Sequence, residues 1–119
     1  MLFRVKVQAI TFALALLVAA IPASAHAILK ESVPASHSVV AGGNFEIRLK
    51  FNSRIDAAHS HLSLAGASGN QTLEIDKKAD PDLLVGQAKD IRAGEYKIQW
   101  QVLAVDGHIT RGEVPFTVH

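Results

Sequence analysis

No cysteine occurs in the chain, and its single methionine is Met1. The first absence excludes disulfides, thiolate zinc sites, covalent haem attachment and cysteine nucleophiles. A domain without disulfides must be held by a packed apolar core alone. Charge of one sign is also lacking, with 12 basic and 11 acidic side chains. Such a balance gives no reason to expect nucleic acid or an anionic membrane as partner. Long hydrophobic runs are absent as well. The most extended, Ala9 to Ile21, covers 13 residues, against the roughly 20 that a bilayer span requires.

That run has a context of its own. Arg4 and Lys6 precede it, Pro22 ends it, and Ala23-Ser24-Ala25 follows with small residues at alternate positions. A basic start, a short apolar stretch and a small-x-small site are the parts of a secretory signal, in order. Residues 1–25 are therefore expected to be a cleaved signal peptide, with 26–119 as one mature domain exported to the periplasm. Loss of Arg4 and Lys6 leaves 10 basic and 11 acidic side chains in the mature chain, a net charge of −1. Met1 leaves with the signal, so no thioether remains and any metal chemistry must rest on nitrogen and oxygen. The product is expected to be a monomer, without membrane insertion after cleavage.

What the mature chain has in quantity is alternation. Phe45, Ile47, Leu49 and Phe51 alternate with Asn44, Glu46, Arg48 and Lys50. Tyr96, Ile98, Trp100 and Val102 repeat the pattern, and Val114, Phe116 and Val118 close the chain in the same way. Period two means strands with one face buried. Shorter candidates lie at Ile28–Val33, Leu62–Ala65, Leu73–Ile75 and Leu83–Val85. Turn residues separate them at 42–44, 66–70, 80–82 and 93–94. About seven short strands without an amphipathic helix predict an all-β, Greek-key sandwich or barrel of the cupredoxin/Ig-like kind. Trp100 is expected at its centre. Pro115 donates no backbone hydrogen bond, so its strand should be an edge or carry a bulge.

Six histidines are the informative polar residues. Cleavage after Ala25 makes His26 the amino terminus, where the freed amine and the imidazole Nδ1 can close a chelate ring on a metal. Ala25-His26-Ala27 is itself small-x-small, however, and cleavage after Ala27 would discard the histidine. Asp106-Gly107-His108 follows a strand end, and residues two apart can point to the same side. The alternative there is a polar turn that happens to hold a histidine. Together His26, Asp106 and His108 would supply three nitrogens and one oxygen, a set suited to tetragonal Cu(II), one ion per chain. Zinc accepts such ligands but prefers a tetrahedron. His59 and His61 should share the outward face of a strand, as a weak secondary pair or simply a solvated surface. His37 and His119 read as a loop residue and the chain end.

At this point the chain resembles the CopC family of periplasmic copper-resistance proteins over nearly all of residues 26–119. The resemblance rests on His26-Ala27-Ile28-Leu29, on Ser32-Val33-Pro34-Ala35, on the Phe51 region and on Ala93 through Trp100. It ends on Val105-Asp106-Gly107-His108 with Gly112. It implies a cupredoxin-like β-barrel and Cu(II) held by the amino-terminal histidine with Asp106 and His108. It also implies a part in copper homeostasis, often beside an inner-membrane copper transport protein of the CopD type. The chain departs from the family at Phe51-Asn52-Ser53, where an acidic residue is common. It also lacks the methionine-rich loop of Cu(I)-binding members and the proline that often follows the histidine.

Two other functions use the same residues. An amino-terminal histidine with a second imidazole also makes the brace of copper oxidases. Against that enzyme stand the small domain, the inward-facing Tyr96 and Trp100, and a carboxylate where oxygen would need to bind. A metal-free β-sandwich interaction module is the third possibility. The expectation is a binding protein rather than an enzyme.

Overall fold

The computed structural model describes residues 26–119; the segment read above as a signal peptide lies outside the described residues. Eight strands follow in order: β1 (Leu29–Val33), β2 (Val39–Val40), β3 (Gly43–Phe51), β4 (Ile55–Gly66), β5 (Gly69–Thr72), β6 (Leu83–Ile91), β7 (Gly94–Ala104) and β8 (Ile109–Val118). They form two sheets, ordered β1-β3-β6 and β2-β8-β7-β4-β5. No helix occurs among the described residues. All strand pairs are antiparallel except the two-residue contact of β2 with β8.

The alternation read from the sequence is the alternation of burial. Ile47, Leu49 and Phe51 of β3 and Ile98, Trp100, Val102 and Ala104 of β7 are buried between the sheets. Each of the larger of these apolar side chains, removed from water, contributes roughly 1.5–3 kcal/mol. Phe51 meets Trp100 edge to face, ring centres 5.1 Å apart, which ties the two sheets at mid-core. Trp100 lies opposite Gly112 on β8. A Cβ at Gly112 would stand 2.6 Å from the indole Cε2, so only glycine admits the ring there. At the far end of β7 the Tyr96 hydroxyl donates to the Arg92 carbonyl at 2.8 Å.

Several local expectations need correction. Strand β4 is far longer than Leu62–Ala65, and its hairpin turn is confined to residues 67 and 68. The polar Gly69–Thr72 then forms β5, although no apolar alternation marks it, because its backbone pairs with Ser63–Gly66. Leu73–Ile75 is not a strand: Leu73 is buried, and Ile75 makes one bridge to Gly86. Backbone pairing rather than side-chain pattern decided this region. Pro115 does lie where β8 has a free edge. On the side away from β7, β2 reaches only Thr117 and Val118, and the Pro115 carbonyl accepts from His37 N–H at 2.7 Å.

Candidate metal centre

One end of the sandwich gathers residues 26–28, the β3–β4 turn and the β7–β8 turn. The segment before β1 is held by its neighbours. Ala27 is completely buried, although the residues on both sides are exposed. The Ile28 N–H donates to Asn52 Oδ1 at 2.8 Å, and the Ile28 carbonyl accepts from the Asn52 N–H at 2.9 Å. Leu29 then pairs with Phe51 as β1 begins. His26 is thus exposed but stands one residue from an anchored point.

The β7–β8 turn is organised by its own polar groups. Gly107 N–H donates to the Ala104 carbonyl at 2.9 Å, and Ala104 N–H to the His108 carbonyl at 2.8 Å. Gly107 has φ +89°, a conformation that favours glycine. Asp106 Oδ1 accepts the His108 backbone N–H at 3.0 Å, and Oδ2 lies 2.7 Å from His108 Nδ1. The His108 backbone N–H is the main reason the Asp106 carboxyl ionises below its ordinary range. The bond to the His108 ring and the nearby His108 and His26 charges act in the same direction, against some desolvation. An ionised carboxylate has about four lone-pair sites, so Asp106 keeps acceptor capacity beyond these two bonds. With Nδ1 facing Asp106, His108 presents Nε2 outward.

The three residues expected to act together are brought together. Ligand atoms of His26, Asp106 and His108 all lie within 4.8 Å of one another, and all three residues are exposed. The His26 and His108 rings meet edge to face with centres 4.7 Å apart. Ligands stand about 2 Å from a first-row metal ion, so small rotations of two exposed rings would close the set around one ion. It is the one group of three or more such residues among the described residues. Three exposed apolar side chains, Ile28, Val105 and Ile109, lie within two positions of these ligands in the chain.

The other histidines are placed differently. His59 and His61 are both exposed, but the regular pairing of β4 with β7 lapses between Asp56 and His61. Ser60, between them, is buried; its Oγ donates to the Asp56 carbonyl and accepts from Leu103 N–H. His59 Nδ1 faces Asp56 Oδ2 at 2.8 Å. The pair does share the outward face, with the alternation of burial intact across Ser60, although the ladder to β7 is irregular here; among the described residues no group of three or more metal-binding side chains includes them. His37 is exposed in a turn with φ +61°. Sequence reasoning missed Asn52, noting only that an acidic residue is lacking near it. A polar amide immediately after a buried strand end was the available signal.

Residues 29–119 match the family described as CopC domain. Copper resistance protein C of Escherichia coli is 30% identical over 109 residues, covering 83% of this chain and 86% of that protein. Protein YobA of Escherichia coli strain K12 is 29% identical over 98 residues, 79% of each chain. Among solved structures, CopC from Methylosinus trichosporium OB3b superposes with a TM-score of 0.70 at 29% identity, covering 78% of this chain and 93% of that one.

Proposed function

The chain belongs to the CopC domain family, and from that premise we propose that it is a periplasmic copper-binding protein acting in copper homeostasis or resistance. It binds one Cu(II) through the amine and imidazole of a processed His26, with Asp106 and His108. The observation that carries this reading is the convergence of those three residues within 4.8 Å at an exposed end of the sandwich. Relatives named for copper resistance make copper the reasonable ion. The donor set selects its oxidised form, because nitrogen and oxygen suit Cu(II) whereas Cu(I) favours sulfur, which the mature chain lacks.

The geometry also bears on processing. Cleavage after Ala27 would remove a completely buried residue together with His26, whereas cleavage after Ala25 leaves the anchored segment whole. The role is carriage or storage of the ion, not turnover. A protein partner such as a CopD-type membrane copper transporter would meet the metal across the apolar rim of Ile28, Val105 and Ile109.

The test is copper titration of the protein exported and processed from the full chain. One equivalent of Cu(II) should bind with an EPR spectrum of tetragonal nitrogen and oxygen ligation. His108→Ala should weaken binding by more than about 100-fold, beyond what loss of a merely supporting partner costs. Retention of tight Cu(II) by that variant would refute the assignment.

A further inference from the structure

Nothing in a strand end explains why the first exposed residue of this domain should have a defined position. Chain termini ordinarily fray unless tied down. Here the tie is specific. Asn52 engages both polar groups of one backbone unit, Ile28, accepting its N–H through the side chain at 2.8 Å and donating its own N–H to its carbonyl at 2.9 Å. Strand pairing does not reach this far, since the β1 ladder begins at Leu29 opposite Phe51. Between this clamp and His26 lies only Ala27, wholly buried in the core. A methyl in the core and two hydrogen bonds on the next residue leave the His26 backbone little freedom beyond its own torsions.

We infer that Asn52 is a positioning residue for the metal centre, holding the amino terminus at the distance from Asp106 and His108 that the ion requires. This rests on the copper reading above. The physical reason is entropic. A chelating amine on a frayed terminus must be ordered when the metal binds, and the cost of that ordering subtracts from affinity. A terminus ordered beforehand by Asn52 avoids it. Asn52 reaches the metal only through backbone. Its side-chain oxygen is taken by the Ile28 N–H, so it orients a ligand rather than serving as one.

The experiment compares exported, processed protein carrying Asn52, Asn52→Leu or Asn52→Asp, with His108→Ala as control. Leucine keeps the volume and removes the acceptor; aspartate restores an acceptor oxygen. Cu(II) affinity is read by competition with a chelator, the site by EPR, and the apo fold by thermal melting. Asn52→Leu should lose about 10- to 100-fold in affinity, the range found when a residue supporting a metal ligand is removed. Its EPR spectrum should broaden or shift toward fewer nitrogen ligands, and Asn52→Asp should recover most of the affinity. A general loss of fold would lower both variants alike, whereas a positioning role separates them. Should the leucine variant fail to fold, exchange of the Ile28 amide decides in the parent protein. Slow exchange that does not depend on copper supports the clamp, and free exchange in the apo protein overturns it. Wild-type affinity and spectrum in Asn52→Leu, with His108→Ala inactive in binding, would overturn the role of Asn52 and leave the copper site standing. Absence of Cu(II) binding in the parent would instead overturn the site itself, and this inference with it.

Discussion

Two aspartates in this small domain are each bonded to a histidine ring close by in sequence, and the two pairs differ in what surrounds them. Asp106 and His108 stand beside His26; Asp56 and His59 stand apart, on the bulged part of β4. The Asp56 carboxyl is held below its ordinary ionisation range, chiefly by the His59 ring and also by the Ala58 N–H, with desolvation opposing. A carboxyl depressed in the folded state adds stability above its unfolded pKa, about 3.9. That stability is lost as pH falls through the lower folded value. Asp56→Ala should therefore lower the melting temperature modestly at neutral pH, since the pair is exposed and screened. The difference from the parent should close in strong acid. Denaturation curves at neutral and acid pH check this, and a gap that persists or widens in acid would contradict it. Copper affinity should not change in this variant.

At the scale of the strand, β7 is the organising element. It pairs with β4 on one side and β8 on the other, carries Trp100 at its middle, and ends at Ala104, where the ligand-bearing turn begins. Its fit depends on Gly112 across the ladder. A Cβ at that position overlaps the indole, with further contacts of 2.6 Å to Cε2 and 3.0 Å to Nε1. The ring cannot withdraw freely, because Phe51 packs on it from the opposite sheet. Gly112→Ala should thus cost about 1–3 kcal/mol, the usual range for forcing extra volume into a packed core. Urea denaturation followed by Trp100 fluorescence measures it. A variant as stable as the parent would show that β8 can shift without strain.

For the whole molecule, the proposed binding site depends on a chain end that processing before His26 would create. Adding one glycine before His26 converts its amine into an amide, a poor ligand near neutral pH, while every side chain remains. The extended protein should melt as the processed form does, because Ala27 and the Asn52 clamp are untouched. Its Cu(II) affinity should fall by more than the roughly 10–100-fold that follows loss of a supporting partner. Binding to the processed form should also weaken as pH falls, since nitrogen ligands must lose protons to coordinate. Equal affinities of the two forms would eliminate the amine as a ligand.

Much of this protein was determined by the sequence alone. Period-two alternation is a local property, so the long strands β3, β7 and β8 could be read directly from which residues must avoid water. The absence of cysteine and the short spacing from Asp106 to His108 were equally plain, and so was the prospect of His26 as a first residue. Other features depended on contacts between distant segments. Polar β5 exists because β4 offers it a ladder, and Leu73–Ile75 is not a strand because its neighbours offer it one hydrogen bond at Leu73 and one isolated bridge at Ile75. The irregular pairing of β4 with β7 between Asp56 and His61, where the Ser60 hydroxyl bonds to the Asp56 carbonyl and the Leu103 N–H, is another. Above all, 80 positions separate His26 from Asp106 in the chain. Their meeting was decided only when buried Ala27 and the Asn52 hydrogen bonds docked the segment before β1 beside the β7–β8 turn, because long-range packing and pairing leave no local trace in either segment.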